Sequence, residues 1–345
     1  MTGRPPLVVA WEVTRACPLA CAHCRAEAQR FAHPAQLTAA EGRRFVADLA
    51  RAYPGAVLML TGGEPLARAD TLELAAYGTS LGLQLALSVD VGRLLTPGIC
   101  RAIRDTGIRR VSFSLHFPDA ARSDRFARSP GFHEEALAGL ANLRAAGAVV
   151  QLRTSVMRSN AALLPRLHDL VVSLGASAWE LSFLVPLRRG ASLADEELAP
   201  SEQEDVLRWL YRLQRTSPVP VAQICTPPLK SIMRGCPAGN GFCFVSHIGE
   251  VRGCGYLPLS VGNVRDRPFG ELYADSPLFR AFRDPSRRGG NCGVCEFRAD
   301  CGGCRALAYA ATGDPLAEEP DCAFAPRQAA RGRRQFAASS SSRTD

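Results

Sequence analysis

Between residues 6 and 186 the chain repeats one pattern, a short apolar run followed by an amphipathic stretch of helical period. Six runs read as strands: PLVVAWEV (6–13), GAVLML (55–60), LQLALSV (83–89), IRRVSFSLH (108–116), AVVQLRTSV (148–156) and AWELSFLVP (178–186). Helical patterns fall between them at 37–50, 69–81, 97–107, 132–147 and 160–175. Near-continuous apolar strands separated by such helices require a parallel sheet, since each crossover returns the chain to the same end of the next strand. A complete eight-stranded barrel uses about 250 residues. Only about 180 are spent here, which predicts an α/β fold of six strands curved into an incomplete barrel, a partial (β/α)6 TIM-like unit. Periodicity does not separate this from a doubly wound open sheet. Thr38 with Glu41, and Ser201 with Glu204, have capping-box spacing, and Pro165 is awkward but tolerable near a helix start.

A helix over 201–215 closes the first unit, residues 1–215. The proline-rich TSPVPVAQICTPPL then reads as a linker, 216–232. In the second unit, 233–325, GFCFVSHIGEVRGCGYL reads as a hairpin turning at Ile248–Gly249, and four Cys fall within residues 292–304. Its apolar inventory is small for an ordinary core, so metal ligation is expected to supply cross-links. Residues 326–345 read as a disordered basic tail. Arg327, Arg331, Arg333, Arg334 and Arg343 against Asp345 give +4 of the formal +8, so the charge does not mark a nucleic-acid site. At 7% aromatic residues, no interleaving of aromatic and basic positions appears either. No window holds the 18 apolar residues of a spanning helix, which predicts a cytoplasmic protein without membrane contact. In that reducing compartment thirteen Cys are not a disulfide framework.

Two motifs follow the first two strands, at the end of a parallel sheet where such folds place their chemistry. Cys17, Cys21 and Cys24 stand in VTRACPLACAHCRAEA. Three thiolates on one loop can hold three corners of an iron–sulfur cubane, which would leave the fourth iron for another ligand. A zinc knuckle would need a fourth ligand, and His23, between two of the thiols, is poorly placed to serve. The second motif is TGGEP (61–65). Gly62 and Gly63 would let main-chain groups approach a ligand closely, Glu64 would accept from an ammonium group, and Pro65 stiffens the exit. Ser114, at the end of the fourth strand, and Arg153, within the fifth, are candidates for a cofactor's hydroxyls and carboxylate. A charge inside an α/β sheet needs a partner. His116 is a further pocket-facing candidate.

The pairing of CxxxCxxC on the first loop with GGEP on the second resembles the radical S-adenosylmethionine enzymes, over about residues 7–186. The resemblance implies a [4Fe-4S] cluster on Cys17, Cys21 and Cys24. The methionine end of S-adenosylmethionine would then be bound to the fourth iron and cradled by Gly62, Gly63, Glu64 and Pro65. It also implies reductive cleavage to a 5'-deoxyadenosyl radical that abstracts a substrate hydrogen, fed by an external donor such as flavodoxin or ferredoxin.

Eight further thiols, Cys236, Cys243, Cys254, Cys292, Cys295, Cys301, Cys304 and Cys322, make two sets of four. Spacing alone fits two zinc sites or two fully ligated cubanes equally. The region resembles the SPASM extension of the same enzymes. That resemblance implies two auxiliary [4Fe-4S] clusters, three in all, with interleaved ligands: Cys236, Cys243, Cys254 and Cys304 for one, Cys292, Cys295, Cys301 and Cys322 for the other. The short CGGC, together with RALAYAATGDPLAEEPDC and VGNVRD, is most similar to the branch of alternative haem and haem d1 biosynthesis. In sulfatase-maturing members an Asp follows the G-x4-C cysteine; Gly255 stands here, which argues against that activity. Cys100 reads as a buried helix residue and Cys225 as a spare thiol in the linker.

The expected activity is that of a radical oxidoreductase that oxidises or decarboxylates a tetrapyrrole or a secondary metabolite. The alternatives are maturation of a peptide or peptide-derived cofactor and, in another class, a non-enzymatic zinc protein. Only about six residues precede the first strand, which argues against a leader-peptide substrate.

Overall fold

The computed structural model describes residues 7–223, 235–322 and 324–327. All six expected strands are present: β1 (Val8–Thr14), β2 (Val57–Gly62), β3 (Gln84–Val89), β4 (Arg110–Ser114), β5 (Val149–Val156) and β6 (Ala178–Phe183). They pair in chain order, every pair parallel. That order decides between the two architectures. A doubly wound sheet reverses at a switch point. Right-handed crossovers that never reverse place every helix on one face, as in a barrel.

The sheet is wider than the sequence predicts. β7 (Val221–Gln223) adds in parallel to β6, inside the stretch expected as linker, while residues 224–234, including Cys225, lie outside the described residues. On the opposite side β8 (Phe242–Val245) pairs in parallel with β1. β9 (Glu250–Arg252) and β10 (Ser260–Asn263) continue antiparallel beyond it. Among the described residues ten strands run β10-β9-β8-β1-β2-β3-β4-β5-β6-β7, and no pairing closes the two ends. The expected hairpin therefore exists, with Gly249 in the left-handed region at its turn, but it continues the first unit's sheet. Its apolar residues do not stand alone either. Phe269 of the helix Phe269–Asp275 meets Phe45 of the helix Ala39–Ala52 edge-to-face at 5.6 Å, and Phe45 meets Trp11 of β1 at 5.3 Å. The small apolar inventory is thus supplemented by a shared core. The expected tail falls almost wholly outside the described residues.

β1 to β3 carry apolar residues on both faces, but β5 and β6 are apolar on one face only, which corrects the near-continuous reading there. On β5 Val150, Leu152, Thr154 and Val156 are buried, while Gln151, Arg153 and Ser155 between them are half-buried. β6 repeats this with Trp179, Leu181 and Phe183 against Glu180 and Ser182. In register, Ser112 lies opposite Gln151, Ser114 opposite Arg153, Arg153 opposite Glu180 and Ser155 opposite Ser182. Paired residues point to the same side, so these groups form continuous polar rows on the face away from the helices.

Helix ends follow local chemistry. Thr38 Oγ1 accepts the Glu41 amide at 3.2 Å and Glu41 accepts the Thr38 amide at 2.8 Å, the expected capping box. Pro165 falls in the first turn of Leu164–Ser173, after a separate short helix Arg158–Ala161, which resolves its awkward place. The Ser201–Glu204 box does not form. Pro200 starts the helix Pro200–Leu213 one position earlier, and Glu202 accepts the Ala199 amide at 2.7 Å.

Candidate functional site

The loop after β1 is closed at its neck by two backbone bonds, Cys17 amide to Gln29 carbonyl at 2.8 Å and Gln29 amide to Arg15 carbonyl at 2.9 Å. The sulfurs are held from within. Cys17 Sγ accepts the Leu19 amide and Cys24 Sγ the Ala28 amide, each at 3.4 Å. Burial, then the carboxylates of Glu64 and Asp90 and the nearby Cys24, push the Cys17 thiol up to about 12. Cys21 is driven up by burial, Asp90, Cys24 and Cys17. Two thiols raised by burial, by neighbouring sulfurs and by carboxylates, on a loop that carries a third, favour a cationic metal group as their counter-ion. The donor set fits an iron–sulfur cluster.

The glycines of TGGEP make room for this loop. A Cβ on Gly62, at φ +149°, would stand 2.2 Å from the Thr14 carbonyl oxygen; on Gly63 it would stand 2.5 Å from that of Ala16. The gap is bridged by Gly63 amide to Thr14 carbonyl at 2.8 Å and Glu64 amide to Ala16 carbonyl at 2.7 Å. Glu64 is fully buried. Its carboxylate accepts the amides of Leu66 at 3.1 Å and of Asp90 and Val91 at 3.0 Å each, tying the loops after β2 and β3 together. Burial raises it to about 8 despite those three amides. Pro65 opens the following turn, and its carbonyl accepts Thr71 Oγ1 at 2.6 Å.

Ser114 and Arg153 stand side by side in register, and Asp90 joins them by accepting the Ser114 amide at 2.7 Å. Arg153 donates through one terminal nitrogen to Ser88 Oγ, and its buried Nε has no partner among the described residues. An unpaired guanidinium donor on a polar face fits an incoming carboxylate or hydroxyl. A small cavity is lined here by Cys21, Asp90, Ser114 and His116, with His23 and Phe126. His23 stacks on Phe126 at 4.7 Å and meets His116 edge-on at 4.5 Å. Burial, then Arg153 and Arg189, lowers His23 to about 4, and His116 is lowered likewise by burial, so both rings stay neutral. Phe126 lies on the helix Ala120–Ala127, which the strand–helix pattern did not predict; Asp119, capping it, was the available signal.

Two further groups were missed in sequence. Arg189 donates to the carbonyls of Ala28 at 2.6 Å and Cys21 at 3.4 Å, clasping the thiol loop from the segment after β6. Glu12, 1% exposed, accepts from Arg15 at 3.2 Å and Arg25 at 3.4 Å and pairs with His247 Nδ1 at 2.8 Å. Burial pushes this carboxyl up, but the His247 bond and the two guanidinium groups outweigh it and hold it at about 2. Arg25 also lies over Phe244 at 4.7 Å, and a Cβ on Gly255 would come within 2.5 Å of its guanidinium. The thiol loop and the hairpin thereby share one ionic hub.

In the C-terminal region Cys292, Cys295, Cys301 and Cys322 line one cavity of about 120 Å³, several times the roughly 30 Å³ of a water molecule. Burial, then Cys292, Cys301 and Glu319, push Cys322 up to about 11. A second group gathers Cys236, Cys254 and Cys304. Burial, then Cys236, raise Cys254 to about 11, and Cys304 is raised by burial, Cys236, Glu319 and Cys254. The two groups interlock through Cys236 amide to Cys301 carbonyl at 3.2 Å. The first four thiols, around space for a group larger than one ion, fit a cubane. Among the described residues no three His, Cys, Asp or Glu side chains close tightly enough to hold a single bare metal ion. Cys243 is not with the second group: it is fully buried on β8 opposite Val9, where burial raises it and Arg283 is the charge that acts on it. Cys100 is buried on its helix as expected.

With this geometry in hand, the comparisons with known proteins agree on both halves. A family model described as the Radical SAM superfamily matches residues 11–160, and an iron-sulfur cluster-binding domain, SPASM, matches 236–302. The AdoMet-dependent heme synthase of Nitratidesulfovibrio vulgaris is 39% identical over 343 residues, 93% of each chain. That of Methanosarcina barkeri is 39% identical over 94% of this chain and 98% of the relative. The pre-heme d1 synthase of Dinoroseobacter shibae is 30% identical over 93% and 87%. Among solved structures, anSMEcpe with bound AdoMet superposes with a TM-score of 0.69 at 15% identity, covering 96% of both chains, which speaks to the fold.

Proposed function

The chain belongs to the radical SAM superfamily and is an iron–sulfur enzyme with a C-terminal SPASM domain, and from that premise we propose that it tailors a tetrapyrrole by oxidative loss of propionate carboxyl groups. The observation that carries this reading is the 39% identity to heme synthases over 93% of both chains. Cys17, Cys21 and Cys24 would hold the catalytic [4Fe-4S] cluster, and Gly62 to Pro65 would frame the methionine end of S-adenosylmethionine. Cys292, Cys295, Cys301 and Cys322 would hold one auxiliary cluster, and Cys236, Cys254 and Cys304 would serve a second. Bound with S-adenosylmethionine and reduced by a donor such as flavodoxin or ferredoxin, these groups would supply hydrogen-abstracting chemistry through a 5'-deoxyadenosyl radical and an acceptor for the electron left on substrate.

This chain's own residues do the positioning. The unpaired Nε of Arg153 and the Ser114 hydroxyl beside it would orient carboxylate and hydroxyl groups over the polar face. The neutral His23–His116 pair and Phe126 wall that space without adding charge and keep water from a reactive radical. Arg189 and the amides of Gly63 and Glu64 keep the thiol loop in place.

The test is anaerobic incubation of reconstituted protein with S-adenosylmethionine, a reductant and a propionate-bearing iron tetrapyrrole. Product lacking one carbon dioxide and two hydrogens per propionate, with matching 5'-deoxyadenosine, is expected. Unaltered tetrapyrrole from active, cluster-loaded enzyme would refute the substrate class. Cys17→Ala should abolish 5'-deoxyadenosine while retaining about two-thirds of the iron.

A further inference from the structure

The SPASM resemblance assigns Cys243 to a cluster, and the strand that carries it does not fit that role. β8 is pinned to β1 by four register pairs, among them Val9 with Cys243, Ala10 with Phe244 and Trp11 with Val245. Paired residues of neighbouring strands share a face, and successive residues alternate. Trp11 packs against Phe45 of the helix layer, so Val9, Cys243 and Val245 face that layer as well. Cys243 accordingly sits beside Tyr53 and Arg283, and Tyr53 meets Tyr273 edge-on at 5.5 Å. Phe244 points to the opposite face, under Arg25, the guanidinium that also acts on the Cys254 thiol. Cys236 lies near enough to act on Cys254 and Cys304, and Cys254 on Cys304, whereas the charge that acts on Cys243 is Arg283. Bringing Cys243 round would need a one-residue slip of β8, which would turn Phe244 into the helix layer and break all four pairs.

We propose that Cys243 is a core residue and that the auxiliary cluster nearest the thiol loop is held by Cys236, Cys254 and Cys304 alone. One iron of that cluster then takes a ligand other than cysteine. This rests on the reading of the C-terminal thiols as iron–sulfur sites.

The experiment measures iron and sulfide per folded chain, and the reduced EPR spectrum, in a Cys17→Ala background so that the auxiliary clusters dominate the signal. Cys243→Val fills nearly the same volume with a good strand former, and Cys243→Ala is a second variant with a different packing cost; gel filtration and circular dichroism select folded protein. Both Cys243 variants should keep the background iron content and g-values, while Cys254→Ala should lose about half of that background iron. Equal iron loss in folded Cys243→Val and Cys254→Ala would overturn the proposal and leave the auxiliary clusters in place. Two zincs and no iron in the background protein would overturn the underlying reading instead.

Discussion

Glu12→Gln removes the charge at the hub joining the thiol loop to the hairpin. The wild-type carboxyl is held at about 2 against an ordinary 4.5, a depression created by His247, Arg25 and Arg15 over an opposing burial effect. At 1.36 kcal/mol per pH unit this corresponds to about 3 kcal/mol of native-state stabilisation at neutral pH, in the range for breaking a buried, hydrogen-bonded ion pair. Because the folded value lies below the unfolded one, the contribution is complete above pH 4.5 and is lost as pH falls through about 2. Urea unfolding of wild type and Glu12→Gln at pH 7 should differ by about 3 kcal/mol, and the difference should shrink between pH 4.5 and 2. A double-mutant cycle with His247→Ala should show coupling of at least about 1 kcal/mol. A difference below about 0.5 kcal/mol at pH 7, the scale of an ordinary surface change, would refute the view that this carboxylate is ionised and paired.

Gly63→Ala places a methyl group 2.5 Å from the Ala16 carbonyl oxygen, so the thiol loop must move and the Gly63–Thr14 and Glu64–Ala16 backbone bonds are lost. About 2 kcal/mol of destabilisation is expected, with iron per chain reduced by loss of the catalytic cluster on reconstitution; normal iron content would count against it. Arg189→Ala removes two guanidinium bonds to the loop. It should speed iron release to a chelator with little change in the far-ultraviolet circular dichroism spectrum, and unchanged release kinetics would exclude a clasping role.

The six strands and most of the helices between them were legible because βαβ crossovers leave strong periodic marks, and the thiol loop stood out because its spacing is dense and local. The polar face was not legible. Ser112, Ser114, Arg153 and Ser155 are spread through runs such as VSFSL and VVQLRTSV, and only inter-strand register gathers them into rows. β7 was hidden between Pro218 and Pro220 and the pair Pro227 and Pro228, which read as linker. The roles of Glu12 and Arg189 depend on partners far along the chain, Glu12 with His247 and Arg189 with Ala28, which no local window contains. The close approach of the thiol loop to Gly62 and Gly63 was not legible either, because Thr14 and Ala16 stand almost fifty residues away along the chain.

β1 lies inside the sheet, flanked by β2 and by β8. Val8 meets Val57 on one side and Phe242 on the other, a sequence separation of 234 residues (242 − 8). During synthesis the first strand therefore waits with one edge bare until almost three-quarters of the polypeptide has left the ribosome. A fragment ending after β7 would keep that edge uncovered and offer it to other chains. Cut free, the N-terminal unit would therefore lack the strand that pairs β1, which belongs to a hairpin translated long after it.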